Sequence, residues 1–416
     1  MLFTEIKACR LCGGRDLIEF FDLGEHSLSG CFPGPEAPDP PVAPLVLCRC
    51  SDCNLVQLGH DTNLQEMFSY DYGYRSSLNA SMCRHLAELV SKAKDRCQLT
   101  SGDIVVDIGA NDGTLLSNYA EDGVQRIAID PIIGKFKDDY PEDIECHEGF
   151  FSLDNARRYL GDRQVALITS ISMFYDLPDP SDFVAGIAHI LAPEGLWVLE
   201  QSYLPLMLEH NAFDTICHEH LEYYALAQIE QLAGAAGLRV IDVELNDCNG
   251  GSFRVTVAGK ESSHVAAVAR IEALRREEDA LGLDSAVPYD AFLARVEKIG
   301  RDITDFLQRA EKEGKSVYLY GASTKGNTLL QHYGIDTRAV TAAVEVNPEK
   351  FGHRTPGTNI PIIDEASIAG DVPDYLLVLP WHFKSNILAN GGDLMAKGAK
   401  FVFPLPTLEI VGKGEL

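Results

Sequence analysis

The sequence predicts an α/β protein in three parts: a small metal-pinned module, a central domain on a doubly wound parallel sheet, and a second α/β domain. Three observations predict it. The β-branched run Ile104, Val105, Val106 stops at Asp107 before a turn carrying Gly109 and Gly113, which reads as a strand feeding a glycine-bent turn and a helix. A second strand, at 316–320, runs into a comparable turn, Gly321-Ala322-Ser323-Thr324-Lys325-Gly326. Ahead of both, Cys9 and Cys12 are answered by Cys50 and Cys53, two C-x-x-C pairs. The expected segments are 1–85, 86–260 and 261–416, consistent with the length of 416 residues.

Composition narrows the function classes. A net charge of −27 repels nucleic acid and anionic membrane surfaces unless a basic run intervenes, and no such run occurs. Apolar stretches are strand-sized, so no membrane span is expected, and no signal-peptide pattern opens the chain. The expected compartment is the cytoplasm, where eleven cysteines are thiols or metal ligands rather than a disulfide framework. Nothing indicates an obligate protein partner.

In the first segment, two knuckles separated by about forty residues bring four thiolates together as a tetrahedral site, for which zinc is the default metal. Four thiolates leave no open position, so the zinc is structural. The loop between them holds Pro33, Pro35, Pro38, Pro40, Pro41 and Pro44 and few apolar residues, so the module needs its metal to fold. Cys48 would not give the two-residue spacer with Cys53 that knuckles favour. Just beyond, Tyr70, Tyr72, Tyr74 and Arg75 either pack a domain seam or line a polar substrate pocket.

The central segment opens with a predicted helix over 82–94 and the glycine turn. Glycines there let backbone N–H groups approach a ligand, and the Asp107 carboxylate sits where a cationic or hydroxyl-bearing group would lie. A second strand at 126–129 ends in Asp130, the position that takes ribose hydroxyls in such units. The turn lacks G-x-G-x-x-G. Its pattern, Asp107-x-Gly109-x-Asn111-Asp112-Gly113, resembles motif I of S-adenosylmethionine (SAM) methyltransferases, although Asn111 and Asp112 also suit a plain turn. Strands at 165–170 and 196–200, with a helix over 180–191 between them, bring further residues, Ser172 and Met173 among them, to the same sheet edge.

The stretch 213–224 gathers Cys217, His218, Glu219, His220, Tyr223 and Tyr224, groups able to move a proton near neutral pH. A metal is not expected there, because two imidazoles two residues apart diverge on a helix. Asn249-Gly250-Gly251-Ser252-Phe253-Arg254 then starts a strand in which Arg254 could meet a phosphate or carboxylate.

Residues 261–313 read as two helices broken near Gly282 and Pro288. The turn after strand 316–320 is no Walker loop, since Asn327 stands where Lys is needed and Lys325 precedes Gly326. It is either a structural turn or a diphosphate cradle with Lys325 alongside. The loop 345–362 offers Lys350, His353 and Arg354 as substrate-facing groups, and Trp381-His382 closes the same edge.

With CNLVQL, DIGANDGTLL, LAPEGLWVLEQSYL, FDTICHEHLEYY, GGSFR and GASTKGNTLL in hand, the chain resembles, nearly end to end, the sugar C-methyltransferases that act on nucleotide-linked 4-keto-6-deoxysugars. The resemblance implies a zinc-binding N-terminal domain, a SAM domain, and a Rossmann-like C-terminal domain that helps hold the nucleotide-sugar through residues such as Tyr72, Tyr74, Tyr223, Tyr224, Arg254, Lys325, Asn327 and Arg354. It also implies that His220 removes a proton next to the ketone, Glu219 orients or tunes it, and the enolate carbon is methylated without a metal. Two positions depart from the family pattern: Cys217 replaces a tyrosine and Asp176 a histidine. Either change bears on how the enolate oxygen is stabilised, which carbon is methylated, or whether methyl transfer is the reaction at all. Epimerisation through the same enolate and non-enzymatic binding of a nucleotide-sugar therefore stay open.

Overall fold

The computed structural model describes residues 3–62 and 74–414. The N-terminal module is all β. Strand β1 (Phe3–Glu5) pairs antiparallel with β5 (His60–Thr62), while β2 (Leu17–Ser27), β3 (Val42–Cys50) and β4 (Val56–Leu58) form an antiparallel meander. Its fourth strand comes from elsewhere: β11 (Glu222–Tyr223), immediately after His220, adds to β4 and gives the order β11-β4-β3-β2. The catalytic candidate loop is therefore continuous with the sheet that carries the second knuckle.

The central sheet has seven strands in the order β12-β13-β10-β9-β6-β7-β8. Strands β6 (Ile104–Ile108), β7 (Gln125–Asp130), β8 (Ile144–Glu148), β9 (Val165–Ile171) and β10 (Leu191–Ser202) run parallel, and β12 (Leu238–Asn246) and β13 (Ser252–Gly259) close the β10 edge antiparallel. The parallel core matches expectation. Strand β8 was not foreseen, because Glu145, His147 and Glu148 break its apolar pattern and only Ile144 is buried, as suits an edge. Helices α1 (Ala80–Cys97), α2 (Leu153–Leu160), α3 (Pro180–Ile190) and α4 (Leu226–Ala235) belong to this part. α1 is longer than the apolar spacing implied: Asn79 Oδ1 accepts from the Ser81 and Met82 amides, and Gln98, with φ 52°, ends it.

Helices α5 (Val268–Leu281) and α6 (Val287–Lys312) lead to the last part. Gly282 does break them, in a left-handed conformation, but Pro288 lies in the first turn of α6, where its missing N–H costs nothing. The six-stranded sheet, β16-β15-β14-β17-β18-β19, comprises β14 (Val317–Tyr320), β15 (Ala343–Glu345), β16 (Ile362–Asp364), β17 (Tyr375–Val378), β18 (Lys400–Phe403) and an antiparallel β19 (Glu409–Val411). Helix α7 (Thr324–Tyr333) follows β14, capped by Ser323 Oγ on the Gly326 amide.

One continuous apolar core runs through all three parts, from Cys9 through Trp197 and Phe253 to Phe401. Side chains of this size each contribute roughly 1.5–3 kcal/mol on full burial, so the parts are held together by the same term that holds each one together. Among the described residues no helix is long and apolar enough to cross a membrane.

Candidate active site and metal centre

The chain leaves β6 for β7 and β8 on one side and returns for β9 and β10 on the other, which opens a crevice at the carboxyl ends of β6 and β9. A cavity of about 400 Å³ fills it, lined by Tyr74, Asp107, Gly109, Asn111, Asp130, Ser172, Met173 and Asp176 among others. Gly109, at φ 77°, is required on two counts: the conformation, and Met173, whose Cγ would lie 2.8 Å from any added Cβ. The Asp130 carboxylate accepts the Asn111 and Ile132 amides, both at 2.8 Å, which fixes its orientation and leaves lone pairs facing the cavity. Burial pushes Asp130 up to about 6, and Asp107, which accepts the Thr169 hydroxyl at 2.6 Å, up to about 7.

Tyr175, which precedes the cavity-lining Asp176, connects this cavity to His220. The Nδ1 of His220 is 2.7 Å from the Thr215 carbonyl, which can only accept, so Nδ1 carries the hydrogen and Nε2 keeps its lone pair. Burial, helped by the charge of Lys325, lowers the imidazole to about 3, so it is neutral at physiological pH. Tyr175 packs its ring 4.1 Å from that of His220, and its carbonyl accepts the Leu221 amide at 2.7 Å. The Thr215 carbonyl, not Glu219, is the partner of His220 Nδ1. Glu219 sits over Gly30, where an added Cβ would collide with Oε1, and burial raises it to about 7. Burial, reinforced by Glu219, pushes Asp176 and Cys217 each well above its ordinary range. Asp176 Oδ1 has no hydrogen-bond partner.

The C-terminal part connects to the cavity lining through Asn249. Lys325, half-buried in the first turn of α7, donates to the Asn249 carbonyl at 2.9 Å. The Asn249 side chain donates to Ser172 Oγ at 3.1 Å, so Lys325 is linked to a cavity-lining residue. Trp381 donates to Asp214 Oδ2 at 2.8 Å, leaving Asp214 Oδ1 and His382 Nδ1 buried and unpartnered. Sequence reasoning did not bring Asp214 and His382 together. The sequence offered both, in FDTICHEH and beside Trp381, but no spacing joins positions so far apart.

Other candidates are spent on structure. Asp112 accepts the Ser77 amide and the Thr114 hydroxyl, and Gly113 makes room for the Tyr140 ring, so they shape the turn without lining the cavity. Arg254 pairs with buried Glu200 at 2.7 Å. Asn327 donates to the Ser29 carbonyl at 2.7 Å, and Arg354 pairs with Asp39 and Asn359. Both tether the proline loop to the C-terminal part. Tyr223 and Tyr224 are buried; Tyr224 lies against Phe174, 5.3 Å between rings. Tyr72 lies outside the described residues.

The knuckles converge. Cys9 Sγ is 3.6 Å from Cys53 Sγ and Cys12 Sγ 3.5 Å from Cys50 Sγ, near the edge of about 3.8 Å that a tetrahedron of 2.3 Å zinc–sulfur bonds requires. Cys48 is buried in β3, outside this group. A second cluster, His85, Glu200 and Cys248, is different in kind. Glu200 Oε2 is taken by Arg254 and Asn246, Oε1 by His85, and the guanidinium lies 3.5 Å from His85 Nε2, a positive charge where a cation would have to sit.

Family models match the three parts in turn: a zinc binding domain at residues 9–68, a methyltransferase domain at 74–243, and a C-methyltransferase C-terminal domain at 247–406. The C-methyltransferase NovU of Streptomyces niveus is 32% identical over 411 residues, covering 98% of this chain and 97% of that protein. Solved structures align with less than half of the chain. Magnesium protoporphyrin IX methyltransferase from Synechocystis PCC 6803 with bound SAH is 14% identical over 44% of this chain and 88% of its own, with a TM-score of 0.35. The mitomycin 7-O-methyltransferase MmcR is 13% identical over 44% of this chain and 55% of its own, also with a TM-score of 0.35.

Proposed function

Because the chain belongs to the SAM-dependent C-methyltransferase family, we propose that it deprotonates a nucleotide-linked 4-keto-6-deoxysugar next to its ketone and methylates the resulting enolate carbon. SAM, when bound, supplies the electrophilic methyl group; structural zinc completes the N-terminal module. Asp130 offers its remaining lone pairs to ribose hydroxyls, and Asp107 and the Gly109 turn receive the methionine end. His220 Nε2 takes the proton, its tautomer fixed by Thr215. Asp176, whose burial favours the protonated carboxyl and whose Oδ1 has no partner, donates its O–H to the enolate oxygen, and Lys325 favours the negative charge that develops nearby. Cys217 keeps the wall between them uncharged.

The observation that carries this reading is the neutral imidazole of His220, held through Nδ1 by the Thr215 carbonyl and packed on Tyr175, the neighbour of cavity-lining Asp176. Incubation with SAM and a nucleotide-linked 4-keto-6-deoxysugar is expected to add one methyl to a carbon adjacent to the ketone, read by mass and NMR. A methyl on oxygen, or unchanged sugar, would count against it.

A further inference from the structure

The first knuckle holds more than a metal. Arg10, between Cys9 and Leu11, has a side chain only 3% exposed, and its donors are fully engaged. Nε and Nη2 reach Asp61 Oδ1 at 3.1 and 2.5 Å, Nη2 reaches the His60 carbonyl at 2.9 Å, and Nη1 reaches the Leu58 carbonyl at 2.8 Å. The same Nη1 lies 3.5 Å from the Leu221 carbonyl, and Nε is 3.6 Å from Glu222 Oε1. Glu222 is fully buried with neither oxygen hydrogen-bonded, so Arg10 is the cation that makes its burial tolerable.

These contacts converge on the residues just after His220. Leu221 gives its amide to the Tyr175 carbonyl and its own carbonyl to the Leu58 amide at 2.8 Å, while Tyr175 packs on the His220 ring. On the same face His218 Nε2 lies 3.0 Å from the Ala43 carbonyl in β3, and Gln228 donates to the Cys53 carbonyl of the second knuckle at 2.8 Å. The first knuckle and β3 thus hold the His220 loop, and the second knuckle holds α4, the helix that follows it.

We infer that Arg10 is a positioning residue for the His220 loop, setting the base through Leu221 and Glu222; its value to the reaction rests on the reading of His220 given above. The planar fork of arginine serves several carbonyls and carboxylates at once, which the single ammonium of lysine cannot do.

The test uses full-length, zinc-loaded protein carrying Arg10→Ala, with Arg10→Lys as the variant that keeps the charge should the first fail to fold. Amide hydrogen exchange, zinc content, SAM affinity by calorimetry, and turnover on the keto-sugar are read together. Expected are one zinc per chain and unchanged SAM affinity, at least tenfold faster exchange at residues 221–223 with residues 104–130 unchanged, and a lower kcat at an unaltered KM for SAM. Wild-type exchange at 221–223 in both variants overturns the inference. So does loss of zinc alongside the loop, which would make Arg10 a prop of the knuckle alone. Faster exchange with undiminished turnover overturns the positioning role, whereas wild-type turnover in a separate His220→Asn variant would remove His220 from the reaction, so the two failures are distinguishable.

Discussion

At the residue scale, Asp130 shows how a sequence position becomes a binding group. Its carboxylate is aimed by two backbone amides, yet burial raises it to about 6. Ribose hydroxyls donate to the ionised form, so SAM affinity should be full at about pH 8 and fall as pH drops first through about 7, where Asp107 protonates, and then through about 6, where Asp130 does. At pH 5 the binding constant is expected to be about tenfold weaker from Asp130 alone, since one unit below its pKa about a tenth of the group is ionised. Calorimetry from pH 5 to 8 checks this, and Asp130→Asn should weaken binding at pH 8 and flatten that part of the profile. That Asp107 and Asp130 lie at strand ends beside a cavity was legible because apolar strand runs stop there. The partners of Arg254, Asn327 and Arg354 were not, because a charge or amide in a glycine-rich turn looks the same from the sequence whether it meets a ligand or, as in the structure, Glu200, Ser29 or Asp39.

At the element scale, the glycine turn and the knuckles make separate claims. Gly109→Ala sets a side chain in a left-handed conformation and drives it into Met173, so SAM binding should fall by at least tenfold and stability by about 1–2 kcal/mol. Thermal melts with and without SAM measure both, and an unchanged pair would show that Met173 yields freely. For the knuckles, elemental analysis is expected to find one zinc per chain. Its removal by chelation should lower Tm and loosen β11 before the parallel core, because β11 belongs to the module's sheet. That strand was not legible beforehand: Glu222 and Tyr223 form a two-residue strand with no periodicity of their own, created by the edge of β4.

At the scale of the whole molecule, the three parts were visible in the sequence and their convergence was not. Helix α7 makes the junction: Lys325 reaches Asn249, Asn327 reaches Ser29, and Thr328 donates to the Ile216 carbonyl at 3.0 Å, so one helix touches all three parts around the loop that carries His220. Contacts between positions 76 to 298 residues apart leave no local pattern to read, whereas the fold of each part follows from strand and helix periods over short windows. The chemistry proposed for this junction depends on one event, removal of a proton next to the ketone by His220. It is measured by incubating the keto-sugar in D₂O without SAM and following deuterium at the adjacent carbon for the wild type, His220→Asn and Cys217→Ser. The expected result is rapid exchange in the wild type, a loss of at least about 10²-fold in His220→Asn with SAM affinity intact, and a smaller change in Cys217→Ser. Exchange in His220→Asn at the wild-type rate would contradict the account, and deuterium uptake that never proceeds to methylation when SAM is added would make the enzyme an epimerase.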